Sequence, residues 1–422
     1  MAFARISVIG LGYVGLPTAA TLASRDVEVI GVDIRPEAVD RVNQGRAHFS
    51  EPDLDIVLRS VITAGRLRAT TTPEPADAFL IAVPTPIDAQ YRPDMSAVNS
   101  ALSNIAPVLK AGDIVIVEST SPVGTTRKAV ELIRALRPDL STPLEAPETA
   151  DLMFAYCPER ILPGQTLREL IDNARIVGGI DKRSGARARD LYRLFAKGDV
   201  LMASAEEAEL SKLTENAYRD VNIAFANELS RVCELLGINV WNVIRMANHH
   251  PRVNILSPGP GVGGHCIPVD PWFIHHALPD HTPLIRTARE VNMAKARHVT
   301  ERIVQRASRF RAPKVALLGL AYKADVDDLR ESPSLEIAHE LARRPDIRLL
   351  VVEPHIKSLP SSLAQHETVS LAALPCALTE ADVVAILVAH RVFEDMDLAQ
   401  LAERAVIDTV GLLPRLQSSM KM

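Results

Sequence analysis

Three observations predict an α/β protein. Short apolar runs alternate with helical patterns over residues 5–118, a helical stretch without strand pattern lies near 204–310, and strand rhythm resumes after Pro313. The expected architecture is two doubly wound units joined by a long central helical module. At 422 residues, ordinary domain sizes allow roughly two to three domains. The reading places them at 1–200, 201–310 and 311–422.

In the first unit, RISVIG (5–10) reads as a buried strand, 16–24 as the helix after it, and 27–32 as a second strand. Further apolar runs at 78–83 and 113–118 end in the turns VPTP (83–86) and ESTSPVGTT (118–126). Strand alternating with helix implies a parallel sheet that binds ligands at the carboxyl ends of its strands. The central module is read as a helix over 204–237, opened by a capping box of Ser204 and Glu207 and stopped by Gly237, and a second helix near 283–310. After Pro313 the runs KVALLGL, RLLVVEP, ADVVAILVAH and AVIDTVG read as strands of a smaller α/β unit.

The run Gly10-Leu11-Gly12-Tyr13-Val14-Gly15 follows a strand, opens a helix and matches GxGxxG, and Asp33 ends the next strand. Glycines there permit a tight turn and close approach to a pyrophosphate at a helix N-terminus, and the acid suits a ribose hydroxyl. The unit is therefore read as a Rossmann-like dinucleotide-binding domain. The acid favours NAD over NADP, with Arg35 softening that preference. The second unit repeats the architecture without the later glycines, since Gly319-Leu320-Ala321 lacks them, so it is expected to hold a different ligand moiety.

GPGVGGHCIPVDPWF (259–273) sets Cys266 among glycines and prolines, a composition that no core element would choose. The thiol reads as a nucleophile, with Asp270 four residues on. Lys212 and Asn216, also four apart, share one helix face. They are either a solvated surface or two donors for an oxygen gaining negative charge. Cys157 reads as an ordinary buried thiol, and Glu159 as a base or a salt-bridge partner. Lys323 and Arg330 suit a diphosphate or carboxylate, although Asp325, Asp327 and Asp328 oppose them.

Composition excludes several classes. A net charge of -5 gives no basic field, so nucleic acid is not an expected partner. The four cysteines, Cys157, Cys233, Cys266 and Cys376, are scattered without CxxC spacing and suggest neither disulfides nor zinc. The pairs His249-His250 and His275-His276 are read as solvated or hydrogen-bonded rather than as ligands, and no metal is expected. The apolar start carries fingerprint glycines that a signal peptide would not, and no apolar run reaches the roughly 18 residues of a membrane span. The cytoplasm is the expected compartment.

Seven segments fall in the order of one family: VIGLGYVGLP, VPTP, STSPVGTT, CPERILPGQ, KLTENAYRDVNIAFANEL, GVGGHCIPVD and GLAYKADVDDLRESP. Over nearly its whole length the chain resembles the UDP-glucose/GDP-mannose dehydrogenases. The resemblance implies oxidation of a sugar C6 alcohol to a carboxylate by two NAD in succession, through a thiohemiacetal and a thioester on Cys266. It further implies that Lys212 and Asn216 stabilise oxyanions, that Asp270 and Thr120 position water or protons, and that Glu159 serves thioester hydrolysis. Thr85, Thr120 and Arg330 join Gly10, Gly12, Tyr13, Val14, Gly15, Asp33 and Arg35 at the cofactor, while Glu159, Arg160, Lys212, Asn216, Arg252, His265 and Lys323 meet the UDP-sugar. Arg252 implies a homodimer paired through the central helices.

Relatives acting on UDP-glucose carry serine before the nucleophile, lysine ahead of the aspartate and a second glutamate, where this chain has His265, Val269 and Pro163. Those departures point to an N-acetylated sugar, UDP-N-acetyl-D-mannosamine first, with UDP-N-acetylglucosamine and UDP-N-acetylgalactosamine open. Two other readings stand beside it. A 3-hydroxyacid dehydrogenase would share the fingerprint and the Lys/Asn pair but not the cysteine loop, and a non-catalytic NAD-binding sensor would need none of these reactive groups. Polysaccharide synthesis is the pathway class that the family implies.

Overall fold

The structure, a computed structural model, describes residues 3–49, 51–161 and 164–419. It divides into two compact units, residues 1–215 with 276–278 and residues 216–275 with 279–422.

The first unit is built on eight strands: β1 (Arg5–Ile9), β2 (Glu28–Val32), β3 (Leu67–Thr70), β4 (Ala78–Ile81), β5 (Ile114–Val117), β6 (Met153–Tyr156), β7 (Arg175–Gly179) and β8 (Val200–Ser204). Their order is β3-β2-β1-β4-β5-β6-β7-β8, parallel except for β6 against β7. The central strands are apolar throughout because helices cover both faces; Ala78–Ile81 and Ile114–Val117 are completely buried. Strand order reverses between β1 and β4, which opens a crevice at their carboxyl ends. Sequence reading stops short of β8. Its apolar run, Val200 to Ala203, passes straight into the long helix, and Leu201 and Met202 are exposed on this edge strand.

The second unit carries β9 (Lys314–Leu318), β10 (Arg348–Val352), β11 (Val369–Leu371), β12 (Val383–Ile386) and β13 (Ala405–Asp408), all parallel in the order β11-β10-β9-β12-β13. Its sheet thus repeats the topology of the first five strands. Gly10 and Gly319, each following the first strand of its sheet, share φ +94°, and each donates its N–H to the last residue of the neighbouring strand, Val32 or Val352.

The long helix spans Ala205–Leu235. Its capping box forms as read: Ser204 N–H and hydroxyl donate to Glu207, and Glu207 N–H donates back to Ser204 Oγ. Gly237 ends it at φ +68°, with Ile238 N–H closing on the Cys233 carbonyl. The second expected helix is Pro283–Ala307, and two shorter ones, Val240–Ala247 and Asp270–Ala277, lie between. Among the described residues no helix is long and apolar enough to cross a membrane.

Candidate functional site

In the first unit the glycines after β1 are required by space. A Cβ on Gly10 would stand 2.5 Å from the Ala82 carbonyl oxygen, and one on Gly15 1.8 Å from the Gly10 oxygen. Gly12 is the exception, since a Cβ there would meet nothing within 4 Å. Open space beside that backbone, followed by the N-terminus of helix Gly15–Ala23, is the cradle a pyrophosphate needs. Tyr13 is partly exposed beside it and stacks on Phe49 at 4.1 Å between centroids, while Val14 is the residue preceding the helix.

Asp33, buried at the end of β2, accepts the Leu11 N–H at 3.1 Å on one oxygen and the Arg35 N–H at 3.0 Å on the other. The Arg35 guanidinium adds an ion pair at 3.1 Å. Burial pushes the carboxyl up, but Arg35 and the two backbone donors outweigh it and hold Asp33 below the usual range. The two guanidinium bonds, from Nε at 3.1 Å and Nη2 at 3.3 Å, bring the carboxylate to its about four acceptor positions, so a ribose hydroxyl takes the place of a contact from the exposed Arg35 side chain. The site therefore fits a dinucleotide, with Arg35 anchored on Asp33.

The turns after β4 and β5 are laced together. Thr85 Oγ1 donates to the Thr120 carbonyl at 2.6 Å, and Ser119 Oγ accepts the Val83 N–H and donates to the Val83 carbonyl. Glu209, fully buried on the long helix, accepts from Gly124 N–H and from Thr126 N–H and hydroxyl at the start of helix Thr125–Leu136. Sequence reading missed Glu209, because a partner more than eighty residues away leaves no local pattern.

Glu159 is buried after β6 with both oxygens engaged, by Arg175 Nη1 at 2.9 Å and the Arg160 N–H at 2.7 Å. The salt-bridge reading of this residue is thus the one that the geometry shows. Arg175 lies over the Tyr192 and Phe195 rings, and Tyr192 donates its hydroxyl to Glu118 at 2.6 Å. Complete burial raises Glu118 to about 7 and Cys157 to about 12, which leaves the latter an inert thiol as expected. Arg160 pairs with Glu215 at 2.9 Å. Lys212 is buried without an ion-pair or hydrogen-bond partner among the described residues, an arrangement that suits a ligand better than a solvated face.

In the second unit the cysteine loop is pressed against the segment after β9. A Cβ on Gly263 would lie 2.6 Å from the Glu331 oxygen, and one on Gly264 3.0 Å from the Tyr322 ring. Cys266 is exposed and not in a disulfide, and its carbonyl accepts the N–H groups of Val269 and Asp270. Asp270, only 2% exposed, accepts the Asn216 amide at 2.5 Å. His265 lies 3.6 Å from Asp328, which also binds Arg330 through two side-chain hydrogen bonds. Acid beside base in this loop is therefore pairing rather than simple opposition. Lys323 and Arg252 are exposed, and Pro163 lies outside the described residues.

The comparisons agree with this geometry. The NAD binding domain of the UDP-glucose/GDP-mannose dehydrogenase family matches residues 4–196, its central domain 206–294 and its UDP binding domain 316–415. The chain belongs to that family. A Ralstonia nicotianae relative, NDP-N-acetyl-D-galactosaminuronic acid dehydrogenase, is 55% identical over 97% of this chain and 96% of its own. The Escherichia coli UDP-N-acetyl-D-mannosamine dehydrogenase is 52% identical over 98% and 100%. Among solved structures, the Pyrococcus horikoshii UDP-D-ManNAc dehydrogenase superposes with a TM-score of 0.86 at 34% identity, over 97% and 96% of the two chains. As a member of the UDP-glucose/GDP-mannose dehydrogenase family, this protein is an NAD-dependent nucleotide-sugar oxidoreductase.

The family's UDP binding domain here keeps one more element of the first unit. Glu353, after β10, accepts the Leu320 and Ala321 N–H groups at 2.7 and 3.0 Å, as Asp33 accepts that of Leu11. The sequence reading found the missing glycines of this unit but not its surviving acid. Asp325, His355 and His390 bring ligand-type atoms within 4.8 Å of one another. Yet His390 Nδ1 accepts the Asp325 N–H at 3.0 Å and Nε2 donates to Glu353 at 3.1 Å, so both ring nitrogens are committed to a hydrogen-bonded clamp.

Proposed function

We propose that this dehydrogenase oxidises the C6 alcohol of UDP-N-acetyl-D-mannosamine to the uronate in two two-electron steps, with Cys266 carrying the half-oxidised carbon. The observation that carries the reading is an exposed thiol in a glycine loop whose following turn buries Asp270 against Asn216. Bound NAD supplies the hydride acceptor for each oxidation, and Gly10, Gly12, Tyr13, Val14, Gly15, Asp33, Arg35, Thr85, Thr120 and Arg330 are the residues assigned to hold it.

The chain's own groups do the rest. Cys266 sulfur adds to the aldehyde carbon and, after the second oxidation, leaves as water takes its place. Lys212 and Asn216, one helical turn apart, are donors suited to the oxyanions of those steps. Asp270 and Thr120 position protons and water, and Glu159, oriented by Arg175, is the base that activates the hydrolytic water. Arg160, Arg252, His265 and Lys323 are assigned to the sugar nucleotide.

The Ralstonia relative's name favours a second reading, the same chemistry on UDP-N-acetyl-D-galactosamine. Initial rates on the mannosamine, galactosamine and glucosamine nucleotides, followed at 340 nm, separate the two. The same assay counts NADH. Two per sugar support the double oxidation and one overturns it, while a Cys266→Ser protein with undiminished conversion removes the thiol from the reaction. A pairing of two chains through the long helix completes the proposal. It is supported by Tyr218, Phe225 and Val232, which stand seven residues apart with 70, 55 and 45% of their surface exposed. Such a row of large apolar groups is what a partner helix covers. A cytoplasmic location accords with the nucleotide substrate and cofactor.

A further inference from the structure

A polar seam runs between two helices of the second unit. Asp220 and Asn227 project from the Ala205–Leu235 helix, Arg289 and Asn292 from the Pro283–Ala307 helix, and all four are at most 3% exposed. Arg289 Nη1 donates to Asp220 Oδ1 at 2.6 Å, and the Asn292 amide donates to the same oxygen at 2.8 Å and to the Asp220 carbonyl at 3.0 Å. Asn292 Oδ1 in turn accepts the Asn227 amide at 2.9 Å. The last link leaves the helices altogether. Asn227 Oδ1 accepts the N–H of Gly259, the glycine that opens the loop of Cys266, at 2.9 Å.

The ends of this chain dictate how each amide faces. A backbone N–H only donates, so Asn227 must turn its oxygen to Gly259 and its NH2 to Asn292. Asn292 must then turn its own NH2 to the carboxylate of Asp220. No member can flip without leaving two buried groups unpaired. Farther along the loop, a Cβ on Gly261 would approach the Asn292 carbonyl oxygen to 3.4 Å and Pro333 to 2.9 Å, so the loop is fitted closely over the same turn of helix. Apolar side chains would pack two helices equally well. What the polar seam adds is a directed bond from the helix pair to the loop.

We infer that Asn227 is a positioning residue for Cys266, with Asn292 and the Asp220–Arg289 pair fixing the orientation of its carboxamide. The inference rests on the reading of Cys266 as the nucleophile. Capture of the aldehyde requires the sulfur at bonding reach of one carbon, whereas removal of hydride from the alcohol does not use the sulfur. A displaced loop therefore lets aldehyde escape before the second oxidation. Misplacement by about 1 Å is enough to slow a positioned step on the order of 100-fold.

The test is Asn227→Leu, which removes both hydrogen bonds at similar volume, together with Asn292→Ala and Asn227→Asp, which keeps an acceptor facing Gly259. Each full-length protein is given the N-acetylated UDP-sugar that the substrate panel selects, with hydroxylamine present to trap aldehyde. Asn227→Leu and Asn292→Ala are expected to yield fewer than two NADH per sugar with oxime accumulating, and Asn227→Asp to restore the ratio toward two. If Asn227→Leu does not fold, Asn292→Ala carries the test alone. Two NADH per sugar and no oxime in Asn292→Ala, with or without slower turnover, overturns the inference, because a merely structural defect scales both oxidations together. One NADH per sugar from the wild-type enzyme overturns the underlying reading instead.

Discussion

Asn216 holds a carboxylate oxygen of Asp270 at 2.5 Å, and Asp270 in turn ties its own N–H to the carbonyl of Cys266 at 2.9 Å. One acid thus joins the long helix to the turn that presents the thiol. Asp270→Asn keeps the shape but sets amide against amide and removes the proton acceptor. Loss of a positioned acid or base costs roughly 100- to 10,000-fold. The expected outcome is a kcat lowered by at least about 100-fold with KM changed only a few-fold, read by steady-state NADH formation. A near-normal kcat would limit Asp270 to packing.

The carboxylate of Asp33 predicts cofactor choice. Hydrogen bonds to charged groups contribute about 1.5–3 kcal/mol, or roughly 10- to 150-fold in affinity. Asp33→Ala is expected to raise the KM for NAD by about 10-fold or more and to narrow the preference over NADP, since Arg35 loses its anchor and becomes available to a 2′-phosphate. The check is the ratio of kcat/KM for the two cofactors. An unchanged ratio would remove Asp33 from the ribose site.

Both of these sites could be read from the chain, whereas the groups that brace them could not. Residues 10–15 and 259–270 are local: glycine spacing, a strand before, an acid or thiol at a fixed offset, all within one window. Glu209, Glu353, Asn227 and Asn292 left no such mark, because each is a common helix or strand-end residue whose partner is distant in sequence. Glu353 had one usable signal. It ends the second strand of its unit as Asp33 does, so overlaying the two halves would have found it. The edge strand β8 escaped for a different reason, since its short apolar run ends at Ser204 and the long helix begins at Ala205 with no turn residue to mark the boundary.

Phe225, midway along the long helix, predicts assembly. Burying a charge without a partner at the centre of an apolar contact is far more costly than burying the ring is favourable. Phe225→Asp is expected to shift the protein from two chains to one in light scattering behind size exclusion, at micromolar concentration. A wild-type protein that is already a single chain would dismiss the proposed pairing.

Glu118 predicts how stability depends on pH. Burial raises its folded-state value to about 7 from an ordinary 4.5, against the opposing effects of Tyr192 and Arg175. Between those values the folded protein retains a proton that the unfolded chain releases. Stability is therefore present below about 4.5 and is lost as pH rises through about 7, at a cost on the order of a few kcal/mol. Glu118→Gln keeps an oxygen for the Tyr192 hydroxyl and has no charge to bury. The variant should melt several degrees above wild type at pH 8.5 and close to it at pH 5, where both side chains are neutral in the folded state. Calorimetry at the two pH values tests the sign directly: a Tm difference that is the same at both would mean that Glu118 does not titrate in this window, and that Arg175 holds it charged instead.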